Sequence, residues 1–241
     1  MLNIRNATNF RRTATGLSLI GATLLALAGL LATPWETEDN LAAYLDALAA
    51  NPVQGQVAAT LLHFGFLLYV PAFVGLLALL RTRGVVLGHI GVTLAILGWA
   101  SISGFLIVDF YDLALAEALP RAEGVAIEER VEGYPGILAF FLPGFVGSMI
   151  GPPLVACALW RAGHVGLWLP LGAVAASVAA VATPPGLYWS GLLGVLGVAT
   201  WGYLGVRVLL AGDQEWELGE LEPRVPASPA VPEHVAPPAA R

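Results

Sequence analysis

Apolar runs and polar breaks divide the chain into six candidate membrane spans, at about residues 14–32, 57–80, 85–108, 136–160, 165–182 and 187–211. Roughly 20 apolar residues in helical form are enough to cross the hydrocarbon core of a bilayer. Between Val57 and Leu80 the only ionisable side chain is His63, and between Val85 and Val108 it is His89. The break between these two runs is the basic turn Arg81-Thr82-Arg83-Gly84. Arginines next to a span favour the cytoplasmic side, so this turn orients the rest. The first run resembles a signal peptide with Ala26-Leu27-Ala28 as a cleavage site, but it is long for one. It reads instead as an uncleaved first span.

The breaks follow the same logic. Residues 33–56 and 109–135 form long outer loops, and each contains a short amphipathic stretch, Leu41 to Ala50 and Tyr111 to Leu119. Together, with Asp109 counted among them, these loops hold 11 acidic and 2 basic residues. The inner segments hold 9 Arg and 6 acidic residues, and all six acids lie in the C-terminal tail. The pattern predicts an all-α, polytopic helical bundle of six transmembrane helices over residues 13–211, with the amino-terminal residues 1–12 and the carboxyl terminus cytoplasmic. Residues 212–241 read as an acidic, then proline-rich disordered tail.

Composition sharpens the class. The chain is 57% hydrophobic and 12% charged, about half the charge of an ordinary soluble domain. A net charge of −6 argues against nucleic acid as a partner. The expected partners are the lipid bilayer and a membrane protein or a second copy of the chain. The lone Cys157 lies in an apolar run and reads as a packing residue.

An internal echo is present. Tyr44 to Ala49 followed by Pro71-Ala72-Phe73-Val74-Gly75 matches Tyr111 to Ala116 followed by Pro143-Gly144-Phe145-Val146-Gly147. Repeats are common in transporters. The run Leu41-Ala42-Ala43-Tyr44-Leu45, the stretch Gly75 to Arg81, the Gly88/Gly91 pair, and Arg161 ahead of a fifth helix containing Trp168 carry a further likeness. On these motifs the chain is similar to a bacterial family of six-helix membrane proteins known only as a domain of unknown function. The resemblance implies the topology and a plasma-membrane location, and it carries over no active-site residue.

Candidate chemistry is sparse. His63 sits ~9 Å into the second span from its outer end, and Asp109 closes the third span on the same side, so the two form a candidate polar site. The bland alternative is a backbone-bonded His63 and an Asp109 that caps a helix. His63 and His89 differ by roughly 20 Å in depth, which excludes a shared haem, and no cofactor or metal is expected. Pro71 marks a bend in the second span. Pro143, Gly147, Gly151, Pro152 and Pro153 mark the fourth as the least regular, a candidate for unwound backbone lining a cavity. Three functions fit: a non-catalytic accessory or interaction protein first, a transporter or channel for a cation or small molecule second, an intramembrane lipid-modifying enzyme third.

Overall fold

The computed structural model describes residues 3–182 and 186–221, and among them all regular structure is helical. The long elements are α1 (Ala7–Ala32), α3 (Pro52–Leu76), α4 (Val85–Phe105) and α7 (Pro135–Arg161). The last is α9 (Leu187–Gly197), continued by a π-helical turn (Val198–Gly202) and α10 (Tyr203–Leu210). A shorter apolar helix, α8 (Trp168–Ala182), completes the set. Five helical stretches are long and apolar enough to cross a membrane: Ala7–Ala32, Pro52–Leu79, Val85–Ala118, Pro135–Arg161 and Leu187–Leu210. At 15 residues, α8 is shorter than these, and residues 183–185 that follow it lie outside the described residues.

The helices close into a ring. Each packs on the next in the order α1, α3, α4, α7, α8, α9, and α9 returns to α1. The closest approach is between α4 and α7, where small residues bring the backbones together. A side chain at Gly91 would strike Val155, and one at Gly98 or Gly151 would strike the facing helix backbone. This is the small-residue packing used where lipid removes the hydrophobic drive for helix association. It accounts for Gly147 and Gly151, both buried against α4.

The prolines do not break their helices. Pro71 lies inside α3, and Pro143, Pro152 and Pro153 lie inside α7, which runs unbroken for 27 residues. The expected unwound backbone in the fourth long helix is therefore absent from α7. Residues 135–161 stay helical because each ring removes only one backbone donor, while α4 packs along the helix and holds it. Pro71 and Pro143 are exposed on the outside of the ring, and only Pro152 is buried inside it.

The two ends are capped differently. At one, α2 (Leu41–Ala50), α5 (Val108–Ala118) and α6 (Arg121–Glu132) pack on one another; this is the acid end. Asn40 opens α2 by accepting the Ala43 amide on its side chain, 2.9 Å away. Helix α5 is set off from α4 by a break at Leu106–Ile107. The stretch from Val85 to Ala118 has 34 residues, far more than the ~20 a bilayer core needs, so α5 lies beyond the crossing part. One short helix, α2, joins the long α1 and α3, whereas two, α5 and α6, join α4 and α7.

At the opposite, Arg end, the Arg81–Gly84 turn runs against α7. Gly84 has φ +71°, and a Cβ there would lie 2.5 Å from the Ala158 carbonyl oxygen, so only glycine fits. Residues 212–221, expected to belong to the tail, are docked here. Helix α11 (Asp213–Leu218) buries Trp216, and Leu221 is buried after it. The reason is an apolar Trp and Leu within an acidic stretch, together with an Asp213 that meets Arg12 at 2.9 Å. The remainder of the expected tail, 222–241, lies outside the described residues.

Candidate functional site: a central cavity and an acidic cap

The ring encloses a cavity of about 260 Å3, and each of the six helices contributes to its wall. From α3 and α4 come Phe66, Tyr69 and Trp99; Trp99 stacks on Tyr69 with ring centroids 5.0 Å apart and meets Phe66 at a tilt, 4.8 Å away. Phe73, next on the same face of α3, stacks on Tyr69 at 5.6 Å and meets Trp201 edge-on at 5.0 Å. Trp201 and Thr200 belong to the π-helical turn and both line the cavity. Such turns add a residue to the helix repeat and occur often at functional sites.

The hydroxyls on this wall spend their protons on carbonyl groups. Thr23 donates to Leu19 and Ile20, Ser148 to Phe145, and Thr200 to Leu196, at 2.6–3.1 Å. Ser177 divides its proton between Met149 on α7 (2.8 Å) and Ala173 on its own helix (3.1 Å). Two donors stand apart. The Trp99 indole N–H is buried without a partner. Tyr69 is 5% exposed, and no hydrogen bond among the described residues uses its hydroxyl, which lies next to Gly197 on the cavity wall.

His63 lies outside this cavity. Its Nδ1 is 2.9 Å from the Ser103 hydroxyl and 3.1 Å from the Ser103 carbonyl, and that hydroxyl donates back to the His63 carbonyl at 3.3 Å. With the Ser103 proton so placed, Nδ1 carries the ring proton and gives it to Ser103. The result is a reciprocal clasp between α3 and α4. Beside it is a separate pocket of about 220 Å3 reaching Ile107 and Phe110 at the α4–α5 break. No ion pair joins His63 to Asp109 among the described residues. His89 is exposed and bonds its own helix at the Val85 carbonyl, 2.8 Å.

Asp109 belongs to a different cluster, at the acid end. The Tyr44 hydroxyl donates to Asp112 Oδ2 at 3.1 Å, with the Asp109 carboxyl near it. Asp112 is 3% exposed, and its Oδ1 has no hydrogen-bond partner. Burial pushes the Asp109 carboxyl up to about 6, with Tyr44 pulling the other way. Burial, then the neighbouring Glu128, pushes Asp112 up to about 7. Burial and both aspartates hold the Tyr44 hydroxyl well above its ordinary value. Beside them Arg121 pairs with Asp46 at 2.7 Å while its Nη1 is buried without a partner.

At the Arg end the charges are satisfied. Arg12 bonds Asp213, and its Nη1 donates to the Val208 and Leu209 carbonyls that end α10, at 3.2 and 2.6 Å. Asn9 donates to both Asp213 oxygens at 3.1 Å. These bonds hold the Asp213 carboxyl below its usual range, the Arg12 hydrogen bond first among them. Arg207 donates to the His164 carbonyl at 3.1 Å and to the Leu221 carbonyl. His164 Nε2 lies 2.6 Å from the Leu79 carbonyl, and burial lowers the pKa of its ring.

The sequence marked Pro143 to Pro153 as a candidate cavity lining. The structure places a cavity on the aromatic face of α3, with Pro152 but neither Pro143 nor Pro153 on its wall, and a separate pocket beside His63. The spacing of Phe66, Tyr69 and Phe73, three and four residues apart, is the signal that marks this face. The class defined is an all-helical protein with long apolar helices of membrane-crossing length around an apolar internal cavity. No protein-family profile matches the chain, and no curated protein or solved structure matches it either.

Proposed function

We propose that the protein crosses a bacterial plasma membrane six times, with α8 as the fifth and shortest span and both terminal segments cytoplasmic. It works there without catalysis, as an accessory or interaction protein of the six-helix kind its motifs resemble. The observation that carries this reading is the state of the wall hydroxyls: Thr23, Ser148, Ser177 and Thr200 all donate to backbone carbonyls. Three of them bond their own helix and Ser177 also reaches Met149 on a neighbouring one, so none of the four is an activated nucleophile. His63 is likewise spent on Ser103. The orientation rests on the basic Arg81–Arg83 turn and the acidic α2, α5 and α6 at the other end.

Single cysteines in a Cys157→Ser background test the topology. Cysteines at Glu38 and Glu123 should react with a membrane-impermeant maleimide in intact cells. Cysteines at Thr82 and Gly163 should react only after permeabilisation. Labelling of Thr82 in intact cells would invert the account.

A second reading, a carrier for a small molecule, is favoured by the cavity itself. Its apolar wall suits an uncharged solute better than a cation. Proteoliposomes containing the protein should show no proton or potassium flux above empty vesicles. A proton or potassium flux abolished by Ser177→Ala would replace the accessory reading with a cation pathway and contradict the uncharged-solute carrier as well.

A further inference from the structure

The cavity wall carries one hydroxyl, that of Tyr69, which no hydrogen bond among the described residues uses. Leaving such a donor without a partner in an apolar space costs about 1–3 kcal/mol, and its ring is fixed by stacking on Trp99, 5.0 Å between centroids. The other wall hydroxyls are spent on carbonyls, Thr23, Ser148 and Thr200 on their own helices and Ser177 on Met149 of α7 as well. No ionisable side chain other than Tyr69 lines the space. A guest that completes this wall is therefore uncharged, mostly apolar, and supplies one acceptor oxygen.

We infer that the central cavity is a binding site for a lipid-soluble carbonyl compound, whose oxygen accepts from the Tyr69 hydroxyl. Depth selects the source of the carbonyl. Tyr69 lies ~15 Å along α3 from Leu79, and Trp99 ~21 Å along α4 from Val85. In a hydrocarbon core ~30 Å thick both rings, and with them the Tyr69 hydroxyl, stand near the middle, where a phospholipid in the bilayer presents acyl chain and not ester. The guest is thus a free carbonyl compound rather than a lipid in place. Access is from the side of Leu30, Ile102 and Ala180, which are partly or fully exposed, while Tyr69, Thr200 and Trp201 at the closed end are buried. Binding by this route also removes the cost of the idle Tyr69 hydroxyl, so it stabilises the ring.

The inference rests on the spanning reading only for the choice of source; the pocket follows from the closure of the ring. The test uses the full chain in nanodiscs and an eleven-carbon 2-alkanone carrying an alkyl diazirine, with 2-undecanone and undecane as competitors. On illumination, adducts should concentrate on Met149 and Leu193, fall with excess 2-undecanone, and resist undecane. Tyr69→Phe should weaken competition by the ketone about fivefold, the worth of one neutral hydrogen bond, and Ala176→Leu should remove the adducts by filling the space. Equal displacement by undecane, or ketone competition unchanged in Tyr69→Phe, would reduce the site to an apolar void and overturn the inference. Adducts spread over the lipid-facing side chains would overturn it as well. Maleimide topology on the same variants separates this failure from an error in the spanning reading.

Discussion

The two ends of the bundle hold charge in opposite ways. At the Arg end, Arg12 and Arg207 are satisfied by carbonyls and by Asp213, and they tie α1, α10 and α11 together. At the acid end, Asp112 is buried and Asp109 half-buried, the one tyrosine hydroxyl near them donates to Asp112, and the other Asp112 oxygen goes unbonded. A buried charge with full hydrogen bonding locks a structure, whereas one without it is a standing cost. The Arg end is thus a floor, closed by Trp216, Leu204 and Val208 beneath the cavity. The acid end is a lid of short helices whose grip depends on protonation.

The largest effect should come from the floor. Trp216→Ala removes a side chain that is 2% exposed and should cost about 3–5 kcal/mol, as truncation of buried aromatics does. Thermal unfolding in detergent by circular dichroism checks it. A change near zero would mean that α11 is not docked.

Arg12→Ala comes next, at about 2–3 kcal/mol, because it strands two carbonyls and Asp213 together. Arg12→Lys should recover only part, since a single ammonium cannot reproduce the forked geometry.

Asp112→Asn should act in the other direction. It keeps an acceptor for Tyr44 and removes a buried carboxylate, so at pH 8 the variant should be more stable than the parent by about 1–3 kcal/mol. The pH response follows from the same groups. Asp109 and Asp112 titrate near 6 and 7 in the folded chain against 3.8 when free. Between about pH 4 and pH 7 the folded state therefore binds more protons than the unfolded one, and stability falls as pH rises. Asp213 is shifted down, so its contribution is present above its ordinary pKa and is lost as pH falls below it. The two ends answer acid with opposite signs. Unfolding measured from pH 4.5 to 8 should show a falling midpoint, and Asp112→Asn should remove most of the slope.

The smallest effect is at the cavity. Tyr69→Phe removes a hydroxyl with no partner and should leave the empty protein unchanged or up to ~1 kcal/mol more stable. A clear loss of stability would show that the hydroxyl has a structural partner.

Much of the frame was legible in the sequence, because apolar runs of the length of residues 57–80 or 85–108 leave little choice. Helix α6 was not, since Arg121 to Glu132 carries charge on every side and reads as loop. Its helix is revealed by contact with α2, α5 and α7. Trp216 was passed over because an acidic stretch masks a single anchoring ring. His63 and Asp109 were placed at neighbouring depths, but depth does not give rotation about the helix axis. Rotation sends His63 to Ser103 and Asp109 to Tyr44. The cavity was illegible for the same reason, since it exists only where six separate faces meet.

Hydrogen–deuterium exchange of the protein in nanodiscs at pH 5.5 and pH 8, corrected for intrinsic rates, tests the contrast between floor and lid most directly. The account predicts that the amides of α11 are protected at both values, while those of α2, α5 and α6 lose protection at pH 8. Fast exchange of α11 at both values, or a lid indifferent to pH, would contradict it.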